Sequence, residues 1–514
     1  MAQSVLTLPV GHTPGESAFD DVQGLVRFGH AHLTEASFTL VQVSDAAAAR
    51  AWLAAAPVTS AKAASPLPDT AMQIAVTCEG LRRLGLGEEA IAGFSAEFIS
   101  GIAGEDNRSR RLGDVGVNSP ALWRWGAPGR APHLLVMLYA RPGGLAAWAE
   151  AVKGAEWSAA FSVMEVLSTR TLDATDDGRS REPFGFFDGI SQPDLDWQRE
   201  DAPVSLAAEY GNRVALGEFL LGYPNEYGMY TDRPLLDTAA DPKNLLAPAA
   251  DDPAKRDLGH NGTYLALRDL QQDVRGFWRF LERQANATGL ARQRLAEAMV
   301  GRTMSGTPLV SLTERRIAGI GPDDRLNRFT FQADPYGILC PLSAHIRRTN
   351  PRNADLPDGA TGWLSRLVRI LGFGTRHPRD DLIASTRFHR LLRRGRAYGL
   401  FVPNDEALRT GPPDEEIGLR FVCLNANISR QFEFVQTAWV ASTKFGGLTQ
   451  ESDPLLGNRQ PIAGCPMTDT FTLPQPSGAA LRLREVPQFV TVRGGAYFFL
   501  PSLSALRYLA SLGD

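Results

Sequence analysis

Strand-like and helix-like runs alternate along this chain, and the same alternation returns after residue 263. In the first half, "ASFTLVQVSD" (36–45), "AMQIAVT" (71–77), "HLLVMLYA" (133–140) and "FSVMEVLSTRTL" (161–172) read as β-strands. "DAAAARAWLAAA" (45–56) and "GLAAWAEAVKGAE" read as helices between them, the first with Asp45 as N-cap. The second half offers "TYLALRDL" (263–270), then a helix over 273–289 with apolar residues at 274, 277, 278 and 281. The strands "GLRFVCLNANI" and "QFVTVRGGAYFFLP" follow, and the helix "PSLSALRYLASLG" closes the chain. This order is not a plain parallel βαβ series. It fits an α+β fold, with two ferredoxin-like domains of antiparallel strands covered by helices. We divide them as 1–215 and 216–514, with the polar, Asp- and Pro-rich stretch 227–257 as a connecting or covering segment.

Composition narrows the function. A net charge of −4 makes no electrostatic case for nucleic acid or an anionic membrane. The four cysteines lie far apart with no CxxC, which argues against a zinc site and a disulfide scaffold. The N-terminus lacks a basic stretch followed by an apolar one, and no run of about 18 apolar residues occurs. The expectation is a cytoplasmic protein with neither a membrane nor a nucleic acid as partner.

Four stretches place chemical groups in unusual company. In "FGFFDGISQP" (184–193), Asp188 sits among three phenylalanines, although Asp-Gly is also an ordinary turn. In "GILCPLSAHIRRTNPR" (337–352), His345 lies between an apolar run and a basic cluster. It is either a buried structural histidine or a lone axial ligand to a macrocycle-held metal, with Arg347, Arg348 and Arg352 suited to its carboxylates. "RFHRLLRRGRAYG" (387–399) reads as a solvated helix end or an anion patch. In "NISRQFEFVQTAW" (427–439), Glu433 stands between two phenylalanines, as a surface acid, an ion pair or a functional group.

Taken together and in this order, these strings resemble the dye-decolorizing peroxidases, a haem peroxidase family. The resemblance runs over roughly 30–505 and is supported by "GEFLLGYPNEYG" (217–228), "VGRTMSGTPL" (300–309) and "RGGAYFFLP" (493–501). It looks most like the larger, fungal-type branch, which also occurs in bacteria. Two departures stand out: Arg396-Ala397 replaces the family's Ile-Pro, and 356–381 looks like an insertion.

The resemblance implies haem b, held mainly by the second domain, with hydrogen peroxide and dyes or phenolic and aromatic reductants as reactants. It implies His345 as the iron ligand, Glu433 as the carboxylate behind it, Asp188 as acid–base and Arg393 as charge stabiliser. It further implies Ile190, Gln192, Arg347, Leu419 and Phe421 as haem contacts and Tyr398 as a surface electron relay; strand alternation would turn Arg420, between Leu419 and Phe421, away. A non-catalytic haem storage or delivery protein and a haem iron-release enzyme are the alternatives.

Overall fold

The computed structural model describes residues 16–171, 180–197, 212–310, 326, 327, 329–352, 385–409, 415–460 and 468–513. The insertion read at 356–381 lies outside them.

Each half has the expected strand–helix grammar. In the first, the main elements are β1 (Glu35–Val43), α1 (Ala46–Ala55), β2 (Thr70–Val76), β3 (Leu134–Ala140), α2 (Leu145–Lys153) and β4 (Phe161–Ser168). The Asp45 carboxylate accepts from Ala48 N at 2.8 Å, so α1 starts where the sequence placed its cap. In the second half, β5 (Thr263–Gln272) leads into α3 (Val274–Thr288), whose first turn Asp273 caps through Gly276 N. After a further helix over Arg292–Val300 comes the short helix α4 (His345–Thr349). The strands β6 (Leu392–Arg393), β7 (Arg396–Tyr398), β8 (Gly418–Asn425) and β9 (Val490–Leu500) follow, and α5 (Leu503–Ala510) ends the chain.

The strands form a nine-stranded sheet in the order β6-β8-β5-β9-β2-β3-β1-β4, with β7 beside β8. Within each half the order of its own four strands is fourth, first, third, second, counting β6 and β7 together as the second strand of the second half. Every pairing in this sheet is antiparallel. That is the ferredoxin-like arrangement twice over, joined edge to edge through Phe499 and Val76. The division drawn at 215/216 falls in the connection between β4 and β5. At the far ends the sheet approaches itself, since Arg170 N donates to Ala397 O at 2.7 Å.

Alternation within strands decides what each face does. Leu265 and Leu267 of β5 join Phe38, Leu135, Val422 and Phe498 in one buried cluster. Arg268, Leu270 and Gln272 of the same strand project to the other face, where the site lies. One local reading needs correction. Residues 392–398 are strands at the sheet edge, not a helix end. The connecting segment carries its own ladder, with Leu235–Asp237 paired to Lys255–Asp257. Among the described residues, no helix is long and apolar enough to cross a membrane.

Candidate active site

A cavity of about 270 Å³ opens on that second face. Its wall includes Leu270 and Gln272 of β5, Leu419 and Phe421 of β8, and Val490 and Val492 of β9. Further wall comes from α4, from the helical segment 429–440, from the turn at 186–191, and from Leu112–Asp114 of the first half. Most of the surface is apolar, and its charged and imidazole groups include His345, Asp188, Arg393, Arg302, Arg352 and Glu182.

His345 opens α4 and reaches the cavity. Its Nδ1 lies 2.9 Å from Asp453 Oδ2. Asp453 is fully buried, and its Oδ1 accepts from Leu455 N and Leu456 N, each at 2.9 Å. Burial pushes this carboxyl up, but His345 and the N–H donors outweigh it and hold the group below its ordinary range. An ionised carboxylate can only accept, so Nδ1 is the donor of this bond, and in a neutral imidazole the lone pair then belongs to Nε2.

The group behind the histidine is therefore Asp453, not Glu433. Glu433 takes the hydroxyl of Tyr497 at 3.0 Å and pairs with Arg108 at 2.8 Å. The physical reason is helical pitch. Residues 429–440 wind with i→i+5 bonds, as Glu433 N to Ile428 O shows. Phe432, Val435 and Gln436 then meet the cavity, while Glu433 turns to Arg108 of the first half. Asp453 did carry a sequence signal. Asp453-Pro454 ahead of two leucines is a turn that offers a buried aspartate two N–H groups.

Arg347 is also reassigned. It is buried behind α4, donating to Cys340 O at 2.8 Å and Asp334 O at 2.8 Å, and does not line the cavity. Arg348 is fully buried and donates to the carbonyls of Trp439, Ser442 and Glu451. It thereby ties the His345 helix to the chain that delivers Asp453. Of the three arginines read there, Arg352 is the one in the cavity wall. Arg302, which sequence reasoning passed over inside "VGRTMSGTPL", joins it. Both guanidinium groups donate to Ser191 Oγ, at 2.9 Å from Arg302 and 3.3 Å from Arg352. Burial, helped by the charge of Arg393, pushes Arg302 down to about 10.

Asp188 and Arg393, 205 positions apart, meet in the cavity with Nη1 3.4 Å from Oδ1. Asp188 Oδ1 also accepts from Gly189 N at 2.6 Å. Arg393 Nη2 donates to Ser191 O at 3.2 Å. Gln192 is a clamp rather than a wall residue. Its amide donates to Arg393 O at 3.2 Å and accepts from Arg393 N at 3.0 Å. Ile190, Leu419 and Phe421 do line the cavity. The three aromatic neighbours, Phe184, Phe186 and Phe187, all line it, and Phe184 also packs on Phe277 at 4.6 Å.

Tyr398 stands apart from this group. Its ring is 4% exposed, so it is no surface tyrosine. Its hydroxyl lies 3.1 Å from Glu416 Oε1, and the Arg420 guanidinium covers the ring at 3.6 Å. Arg420 indeed points away from Leu419 and Phe421, into a buried pair with Asp269 of β5.

No protein-family model matches the sequence. The multifunctional dye peroxidase DyP2 of an Amycolatopsis species is 30% identical over 351 residues, which cover 65% of this chain and 62% of that protein. The chain thus aligns with less than two thirds of that relative. The dye-decolorizing peroxidase msp1 of Mycetinis scorodonius is 28% identical over 522 residues, 96% of this chain and 87% of the relative. Among solved structures, a dye-decolorizing peroxidase with a haem pocket engineered for asymmetric sulfoxidation superimposes with a TM-score of 0.71 at 26% identity. That match covers 96% of this chain and 100% of the other.

Proposed function

We propose that this chain, which belongs to the dye-decolorizing peroxidase family, binds haem b in the cavity and reduces hydrogen peroxide with dyes and phenolic or aromatic compounds as one-electron donors. The observation that carries the reading is the pairing of two unlike groups in one apolar cavity: an imidazole with Nδ1 tied to Asp453, and the Asp188–Arg393 pair.

The residues fit the cofactor. His345 Nε2 is the atom left to bind iron. Leu270, Leu419, Phe421, Val490 and Val492 suit the faces of an apolar macrocycle, and Arg302 and Arg352 suit its carboxylates. Haem, when bound, supplies the metal to which peroxide binds and the electrons that break the O–O bond. The chain handles protons and charge. Among the described residues, Asp188 Oδ2 has no hydrogen-bond partner, whereas Oδ1 is held by Gly189 and Arg393. Oδ2 takes a proton from one peroxide oxygen and returns it to the other, which leaves as water. Arg393, permanently charged, stabilises the negative charge on the departing oxygen. A cavity of about 270 Å³ is too small for a large dye beside the macrocycle, so on this reading the electrons of such dyes enter through the protein. Tyr398 remains our candidate relay, through its hydroxyl and Glu416 rather than an exposed ring. We take 1–215 and 216–514 as the two domains, the second supplying most of the haem contacts.

Purified protein supplied with haem should take up one equivalent and then consume peroxide only while a phenol or dye is oxidised, measured by rapid mixing. Haem uptake with peroxide-driven bleaching, and no donor oxidation, would overturn the peroxidase reading. The Asp453 assignment has its own test. Asp453→Asn should raise the reduction potential of the bound haem, because a neutral amide donates less to the imidazole. Glu433→Gln should leave that potential nearly unchanged and act on stability through Arg108. A potential that follows Glu433 instead would restore the sequence reading.

A further inference from the structure

We propose that Glu182 is the positioning residue of Asp188: its carboxylate pins the turn that aims Asp188 into the cavity and fastens that turn to the sheet. The inference rests on the reading of Asp188 as the acid–base group. Glu182 Oε1 accepts from Phe186 N and Oε2 from Phe184 N, both at 3.0 Å. Oε2 also accepts from Gln272 Nε2 at 3.0 Å. The main chain closes the same loop, since Glu182 N donates to Phe186 O and Gly185 N to Glu182 O, each at 2.9 Å. Gly185 supplies the φ of +100° that the turn requires. Asp188 N then donates to Ser180 O at 3.2 Å, which fixes where the acid leaves the turn.

Gln272 makes this more than a local turn. It sits on β5, 5% exposed, with its backbone N bonded to Ile417 O. Its side-chain Oε1 has no partner among the described residues, so the bond to Glu182 is what orients the carboxamide. The Asp188 turn is thus anchored to the rigid sheet through one carboxylate–carboxamide bridge. Burial, with the charge of Asp188 acting the same way, pushes the Glu182 carboxyl up to about 7 against the pull of its three donors. An acid here is electrostatically unfavourable, and a neutral side chain would avoid the penalty. Only a carboxylate offers two acceptor oxygens to two neighbouring N–H groups and an amide at once.

Glu182→Gln keeps the size and turns one acceptor into a donor facing an N–H. In cofactor-free protein, hydrogen exchange at the amides of 184–189 should rise about tenfold or more while β5 stays protected. In haem-loaded protein, the rate constant for peroxide should fall about 10- to 100-fold, the scale of a small misplacement of a reacting group. In an Asp188→Asn background, Glu182→Gln should cause no further loss, because the two changes remove one function. Gln272→Leu, which removes the other end of the bridge, should move both readouts in the same direction if Glu182→Gln fails to fold. Unchanged exchange, a parental rate, or a full multiplicative loss in the Asp188→Asn background would each overturn the proposal. A parental rate for Asp188→Asn alone would instead sink the acid–base reading, and the exchange experiment, which needs no cofactor, would still decide whether Glu182 holds the turn.

Discussion

Replacing His345 with alanine should cost the protein its haem: affinity is expected to fall by at least about 100-fold, beyond the 10- to 100-fold typical of removing a supporting partner. Among the described residues no other histidine lines the cavity, so on the proposed reading the imidazole of His345 is the nitrogen available to the iron. His389, the nearest alternative in sequence, has its ring stacked on Phe434 at 3.6 Å and its Nδ1 against Arg430 O. The substitution also strips the buried Asp453 of its partner, so part of any loss is destabilisation. Exogenous imidazole separates the two effects. It should enter the space vacated by the side chain, meet Asp453, and restore haem uptake and the imidazole-ligated spectrum. An alanine variant that keeps the parental haem content and spectrum without imidazole would move the ligand elsewhere.

The two-fold repetition of strands and helices could be read because each element is amphipathic over its own length, and short-range periodicity is what a sequence displays most directly. The junction of the two sheets could not. It rests on the pairing of Phe499 with Val76, residues whose neighbours in sequence say nothing about each other. Site residues behaved the same way. Asp188, His345 and Arg393 stood out because a charge or an imidazole was set in a distinctive local string. Their supports did not, because each acts across the fold: Asp453 is 108 positions from His345, and Gln192 is 201 from Arg393.

Two misreadings share a cause. Adjacent arginines look like a solvated face or an anion patch, yet Arg348 is spent on three backbone carbonyls in the interior. Arg394 and Arg396 similarly reach the carbonyls of Leu25, Val26, Gly29 and His30. A guanidinium group with five donors can satisfy loop carbonyls that no secondary structure covers. Nothing in the local sequence distinguishes that use from anion binding. Glu433 was misassigned for another reason: extrapolating from an ordinary helical pitch puts the wrong face inward when the backbone winds with i→i+5 bonds.

Asp188→Asn should slow the reaction of haem-loaded protein with peroxide by about 10²- to 10⁴-fold, the range of a positioned acid–base group. Asparagine keeps the shape and the contact with Gly189 but cannot take the proton at Oδ2. Arg393→Leu should cost about 10²- to 10³-fold, the scale of one removed charge-stabilising donor. Arg393→Lys separates charge from geometry. It keeps the positive charge but not the two-pronged reach by which Nη1 approaches Asp188 while Nη2 holds Ser191 O. We therefore expect it to recover only part of the loss. The backbone of Arg393 stays clamped by Gln192 in both variants, so haem content should be unchanged, and that content is the control for a disturbed site. The combined Asp188→Asn and Arg393→Leu variant should be less impaired than the product of the two single losses, since both groups serve one transition state. Rate constants measured by rapid mixing over a series of peroxide concentrations decide the matter. An Asp188→Asn protein reacting at the parental rate would leave Arg393 and water to do the chemistry. Asp188 would then be a turn residue that merely faces the cavity.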